Sequence, residues 1–202
     1  MKTLTIIVCV CLLAGVVSAQ ANNSREQAKN LAEQAYKENA AKYAGNAEVL
    51  VKPGVLADRK SGTVKVWGVA TGVGGGDPVE FALIPADSGK DYESLALAFA
   101  STADVDEALK FIGLKPGRAV DYARMMYWAR GPRVSMTFGW TDDKGQAHEQ
   151  PVRTLLRNSQ TNKAWEGEWD YTGSRTAVPP EGVKVWPRWP KSPPARPSHP
   201  PA

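Results

Sequence analysis

The chain has 202 residues, 43% hydrophobic and 23% charged, with a formal net charge of +4 and only two cysteines, Cys9 and Cys11. Both cysteines fall inside an N-terminal segment that reads as removable. Without that segment, a disulfide framework, a thiol nucleophile, an iron–sulfur cluster and a cysteine-based zinc site are all excluded. The charge argues against a nucleic-acid groove, because Lys2 leaves with the leader and Lys184, Arg188, Lys191 and Arg196 sit in the C-terminal tail. What lies between is close to neutral, whereas such a groove needs a basic face on the folded domain.

Residues 1–21 have the pattern of a secretory leader. Lys2 is followed by an apolar run from Leu4 to Val17, and small residues flank two cleavage positions, before Gln20 and before Asn22. The run is too short for a comfortable membrane span, and a polar segment follows it. An exported, periplasmic or extracellular chain with no membrane span after cleavage is therefore expected.

Residues 22–45 are predicted as a helix, capped by Asn23 or Ser24 and ended by Gly45. Its face of Ala28, Leu31, Ala32, Ala35 and Tyr36 is only weakly apolar. The main domain is expected over 48–178. Thr63 to Ala70 alternates as a half-buried strand does, and the glycines from Gly72 to Gly76 read as a hairpin turn into a strand from Val79 to Ile84. They do not read as a phosphate cradle, because Pro78 and a strand follow where that cradle needs a helix. Tyr92 to Ala100 is a third apolar run.

The clearest local element is a helix from about Thr102 to Ile112. Thr102 or Asp104 is the expected cap, Val105, Ala108, Leu109 and Ile112 form one stripe, and Gly113 is the stop. Strands are expected at Arg133 to Trp140, around Gln150 to Arg157, and at Glu166 to Tyr171, with a turn at Asp142-Asp143-Lys144-Gly145. The pattern predicts an α+β fold: a largely antiparallel sheet with one well-defined inserted helix, preceded by the N-terminal helix. Nine of the 24 residues from 179 to 202 are proline, with Trp186 and Trp189 among them, which predicts a disordered tail.

Candidate chemistry is sparse. His148 is the single histidine of the domain, next to Glu149, without the further ligands a metal site needs and without a serine in a nucleophile-elbow context. The densest polar cluster is Lys90, Asp91, Tyr92, Glu93 and Ser94. Strand alternation would place Lys90, Tyr92 and Ser94 on one side and Asp91 and Glu93 on the other. Two acids on one face suit acid–base work or a hard cation, whereas a structural Glu93 would satisfy backbone donors or pair with a base. Trp67, Trp128, Trp140, Trp165 and Trp169 are candidates for a ligand surface or for core packing.

Lys90-Asp91-Tyr92-Glu93-Ser94-Leu95 and the helix end Ala108-Leu109-Lys110-Phe111-Ile112-Gly113-Leu114-Lys115-Pro116-Gly117 resemble the YdjY-type domain, with its K-x-x-E-S-L and A-L-x-x-x-G-x-x-P-G motifs. Pro151 to Arg157, Thr161-Asn162-Lys163 and Trp169-Asp170-Tyr171-Thr172-Gly173-Ser174 are similar to its downstream pattern. The resemblance spans about residues 48–174 and implies an exported bacterial protein, with planctomycete-like members, whose biochemical role is not established. The expectation is an exported non-catalytic module that binds a ligand, an envelope component or a protein partner, with Lys90, Asp91, Tyr92 and Glu93 as candidate ligand-binding residues. No cofactor, metal or nucleic acid is expected. The alternative is a hydrolase or cation-dependent enzyme using Asp91, Glu93 and His148.

Overall fold

A computed structural model of the chain describes residues 4–10, 19–142 and 144–174, with side chains from residue 24 onward. The predicted cleavage positions before Gln20 and Asn22 fall within this range, whereas residues 11–18 of the leader lie outside it. The proline-rich tail with Trp186, Trp189 and His199, and Asp143 of the predicted turn, lie outside it.

The sheet grows from β4 (Thr63–Ala70), whose bounds match the alternating run. One edge of β4 is shared by two neighbours, both antiparallel. β3 (Val55–Asp58) takes the first half and β6 (Ser94–Ala98) takes the second. β2 (Val49–Lys52) pairs with β3 through Pro53-Gly54, a two-residue connection absent from the sequence-based prediction. Proline followed by a glycine at φ +70° suits a type II turn. A Cβ on Gly54 would also stand 2.8 Å from the Phe99 carbonyl carbon. The glycine-rich segment 72–76 does not close a hairpin. β5 (Phe81–Pro85) crosses to the far side of β6 and pairs with it in parallel, because β6 already holds the remaining edge of β4.

A second half-sheet is built on β7 (Arg133–Thr141), with β8 (Ala147–Pro151) and β9 (Trp169–Asp170) antiparallel along one edge. The strand expected near Gln150 to Arg157 is therefore earlier and shorter. Pro151 ends it, and Val152–Leu155 turn as a 3-10 helix that buries Val152. The strand expected at Glu166 to Tyr171 is only two residues long.

β1 (Leu4–Val10) lies between the half-sheets, parallel to β4 on one side and to β7 on the other. These residues carry the apolar run that reads as a leader. A run rich in Ile and Val meets the requirements of a buried strand as well as those of a leader, and periodicity does not separate the two.

Strand alternation sends the two helices to opposite faces. Val64 and Val66 of β4 and Ala96 and Ala98 of β6 join Val55, Ala57, Phe138 and Val152 in one core with Ala108 and Leu109 of α2 (Thr102–Phe111). Val69, Ile84 and Leu97 point the other way and meet Ala28 of α1 (Ala19–Lys42). Of the stripe expected on α1, Ala28 and Ala32 are buried, while Leu31 is half exposed. Asn23 and Ser24 lie inside this helix rather than at its cap. On α2 the cap is Ser101. Its hydroxyl accepts from Asp104 N at 3.0 Å and donates to the Asp104 carboxylate at 2.6 Å, satisfying the start of the helix one residue earlier than expected. Gly113, at φ +96°, ends the helix. No helix among the described residues is long and apolar enough to cross a membrane.

One side chain ties residues 171–174 to α2. The Asp106 carboxylate accepts from Tyr171 Oη at 2.6 Å, from Ser174 N at 2.9 Å and from Lys110 Nζ at 2.6 Å. Gly117 N donates to the Tyr171 carbonyl at 3.0 Å, and Gly173 at φ +85° packs its backbone onto Pro116. Burial pushes the Asp106 carboxyl up, but the bonds from Lys110, Tyr171 and Ser174 together hold it below the ordinary carboxylate range. Burial, and then the bond to Asp106, push the Tyr171 phenol up.

Three measurable consequences come from this packing. Leu109→Ala should cost about 2–5 kcal/mol, read from the urea unfolding midpoint, because Leu109 is only 7% exposed in the core. Tyr171→Phe keeps the ring and removes one bond to a charged acceptor, so about 1.5–3 kcal/mol should be lost. The Asp106 contribution should be fully present above its unfolded value near 3.8 and disappear as pH falls through the lower folded value. The stability deficit of Asp106→Asn should accordingly shrink in acid unfolding below about pH 4.

Candidate functional site

The Lys90 to Glu93 cluster is a turn rather than a strand. Asp91–Glu93 form a 3-10 helix leading into β6, which brings residues three apart together instead of alternating them across a sheet. Lys90 Nζ and Glu93 Oε1 are therefore 2.6 Å apart, not on opposite sides. The bond to Glu93 raises the Lys90 pKa, opposed by burial and helped by nearby negative charge. The Glu93 carbonyl, not its carboxylate, takes the backbone N–H of Glu80. Asp91 and Tyr92 are exposed, and Ser94 is fully buried, with its hydroxyl donating to the Ala96 carbonyl.

His148 lies elsewhere. Its Nε2 is 2.8 Å from Asp142 Oδ2, and its ring stacks on Trp140, its ladder partner, with centroids 5.3 Å apart. The bond from His148, helped by the Gln146 and Lys144 amides and opposed by burial, holds the Asp142 carboxyl below its usual range. Such a carboxylate only accepts, so the ring nitrogen donates. β4, β1 and β7 separate β6 from β8, a spread of roughly 19 Å at ordinary strand spacing. Asp91 and Glu93 are thus not brought to His148. Among the described residues, no three His, Cys, Asp or Glu side chains are grouped as metal ligands.

An open groove of about 890 Å³ runs between α1 and the Pro53-Gly54 and Pro85 to Asp87 turns. Arg25 and Lys29 share it with Glu26, Glu33 and Asp87. Arg25 donates its guanidinium to the Ala86 carbonyl, a hydrogen bond that fastens α1 across the groove.

The strongest surface feature is the excursion between α2 and β7. Of the eight large hydrophobic residues exposed among the described residues, five lie in one loop: Val120, Tyr122, Met125, Tyr127 and Trp128. Tyr122, Met125 and Trp128 are each 75% exposed. The segment is a narrow two-legged ribbon. Arg118 and Arg130 exchange both backbone bonds, as do Asp121 and Met126 nearer the tip. A 3-10 turn at Tyr122–Arg124 follows Asp121, whose carboxylate accepts from Arg124 N, and Met125 sits at φ +55°.

The base of the ribbon depends on glycine. A Cβ on Gly117 would collide with the Arg130 carbonyl, and one on Gly131 with the Tyr171 carbonyl. The ribbon is therefore seated on the residue that Asp106 holds. At the tip, the rings of Tyr122 and Tyr127 are 6.1 Å apart, and Tyr127 meets Trp128 edge-on at 6.1 Å. The same segment carries Arg118, Arg124 and Arg130 against one acidic residue, Asp121, which pairs with Arg124. Of the five tryptophans weighed as surface or core, Trp128 is the exposed one. Trp67, Trp140, Trp165 and Trp169 are partly buried, the last two packed together at 4.5 Å. The sequence signal for the ribbon was the crowding of two Tyr, two Met, one Trp and three Arg into residues 118–130, with no apolar period to bury them.

A search of curated proteins found no significant match, and neither did a search of solved structures. The YdjY domain profile matches residues 55–182, which covers β3 through β9 and includes the ribbon and the Asp106 contacts. With well over half of its length matched in this way, the chain belongs to the YdjY domain family.

Proposed function

We propose that the chain is an exported, non-catalytic module that binds another protein through the ribbon of residues 118–130. The observation that carries this reading is the concentration of exposed Tyr, Trp, Met and Arg on a backbone fixed at both its base and its tip. Those four residue types are the ones enriched in protein interfaces, where a few aromatic and arginine anchors supply most of the binding energy. A pre-ordered backbone reduces what must be immobilised on binding. Export, to a periplasmic or extracellular location, is supported by Lys2, the apolar run and the small residues before Gln20 and Asn22.

The test is capture of partners from the chain's own envelope fraction on immobilised processed protein. Combining Tyr122→Ala with Trp128→Ala should leave the melting temperature unchanged and weaken capture. Each truncation should cost about 2 kcal/mol or more, roughly thirtyfold in affinity. Lys90→Ala should leave capture intact. Capture undiminished by the double variant, or lost with Lys90→Ala, would move the contact surface off the ribbon.

A further inference from the structure

Among the described residues, β1 is the one strand that pairs with both half-sheets. β4 gives one edge to β3 and β6, and β7 gives one edge to β8 and β9. The remaining edges face each other across β1, over Val64 to Gly68 on one side and Val134 to Gly139 on the other. β1 runs parallel to both strands, so the two open edges are themselves parallel and lie two strand spacings apart, about 9–10 Å.

The interval is braced. α2 packs its Ala108 and Leu109 into the core with β3 and β4, and its Asp106 grips Tyr171 just beyond β9. That contact links the halves through side chains outside β1. The floor of the interval is apolar. One position of β1 is registered with both Val64 and Met136, and the position two residues on with both Val66 and Phe138. Val64 and Val66 are fully buried, and Phe138 is 7% exposed.

We propose that, in the processed chain, this interval is an acceptor site for an extended apolar strand of a partner protein. The donor inserts in parallel between β4 and β7, with β-branched or aliphatic residues at the two core-registered positions. This rests on the reading that residues 4–10 are removed with the leader. Two facing edges that are held apart present ten or so unpaired backbone groups over a hydrophobic floor, the arrangement that strand addition satisfies. The seven-residue segment Leu4–Val10 in that place defines the length, direction and register of the donor. A partner strand meets the same constraints once this segment is gone.

The probe is a synthetic peptide of residues 4–10 carrying Cys9→Ser, added to chain isolated after natural export. Its N-terminus is read by mass spectrometry and its amide exchange is mapped by residue. Saturable binding is expected, with amides on both facing edges slowed by roughly a hundredfold or more, the scale that separates open from sheet-protected amides. The same peptide with Ile7→Pro should do neither, and full-length chain should not bind the peptide. A processed chain that folds only when the peptide is added supports the proposal equally. Edge amides already protected without peptide would mean that β4 and β7 close on each other, and the proposal fails. It fails also if the peptide leaves both edges unchanged. Exported chain that retains residues 4–10 would overturn the leader reading and the partner strand with it. Protection by the peptide on a chain cut after Ala19 would still locate the acceptor site in that case, so the two failures are distinguishable.

Discussion

The structure turns on the Asp106 carboxylate. It is a largely buried charge with three donors around it: the Tyr171 phenol, the Ser174 amide and the Lys110 ammonium. A buried carboxylate is tolerable only when it is so satisfied. Here the satisfaction joins α2, which belongs to the β4 half of the sheet, to the last strand, which belongs to the β7 half. Tyr171 then offers its carbonyl to Gly117 and supports Gly131, the two ends of the exposed ribbon. One ionised group thus links the two half-sheets and supports the residue on which the ribbon is seated.

This gives the family-like sequence pieces a physical meaning. The helix end with Pro116-Gly117 and the downstream Trp169 to Ser174 run are distant in sequence, but they meet at this point. Gly173 lies against Pro116, Gly117 donates to Tyr171, and the last residue of the run donates to Asp106. The Lys90 to Leu95 piece is likewise local architecture, a turn closed by an ion pair before a buried serine. At the β7–β8 hairpin, Asp142 accepts a hydrogen bond from His148. Of the ionisable groups singled out in the sequence, Lys90 and Glu93 are engaged with each other and His148 with Asp142, whereas Asp91 and Tyr92 are exposed.

Elements whose signal is local were legible in the sequence. β4 needed only its alternation, and α2 only its stripe and Gly113. The fold class followed from one such helix among strands. The β2–β3 hairpin also has a local signal, Pro53-Gly54 between two apolar runs. What could not be read was pairing. The position of β5 beyond β6, the shortness of β9, and the choice of Ser101 over Thr102 as cap are settled by which edges and donors other segments have already taken. For the candidate site, the alternation rule failed at Lys90 to Glu93 because a 3-10 turn replaces period two by period three. Asp106 drew no attention because an aspartate inside a helix looks like solvent-facing charge until its partners, 65 and 68 residues away, are known.

That separation bears on how the chain reaches its fold. Contacts between α2 and Tyr171 close a long loop, and loop-closure entropy makes such contacts late. The hairpin of β2 and β3 and the turn into β6 can form from neighbouring sequence, whereas the Asp106 carboxylate stays without two of its three donors until residues 171–174 have been synthesised. A growing chain therefore carries an unlocked sheet for most of its translation and locks it near the end. Closure of the domain is timed by residues 171–174, so a nascent chain halted before Tyr171 remains threadable even when nearly all of its core residues have been made.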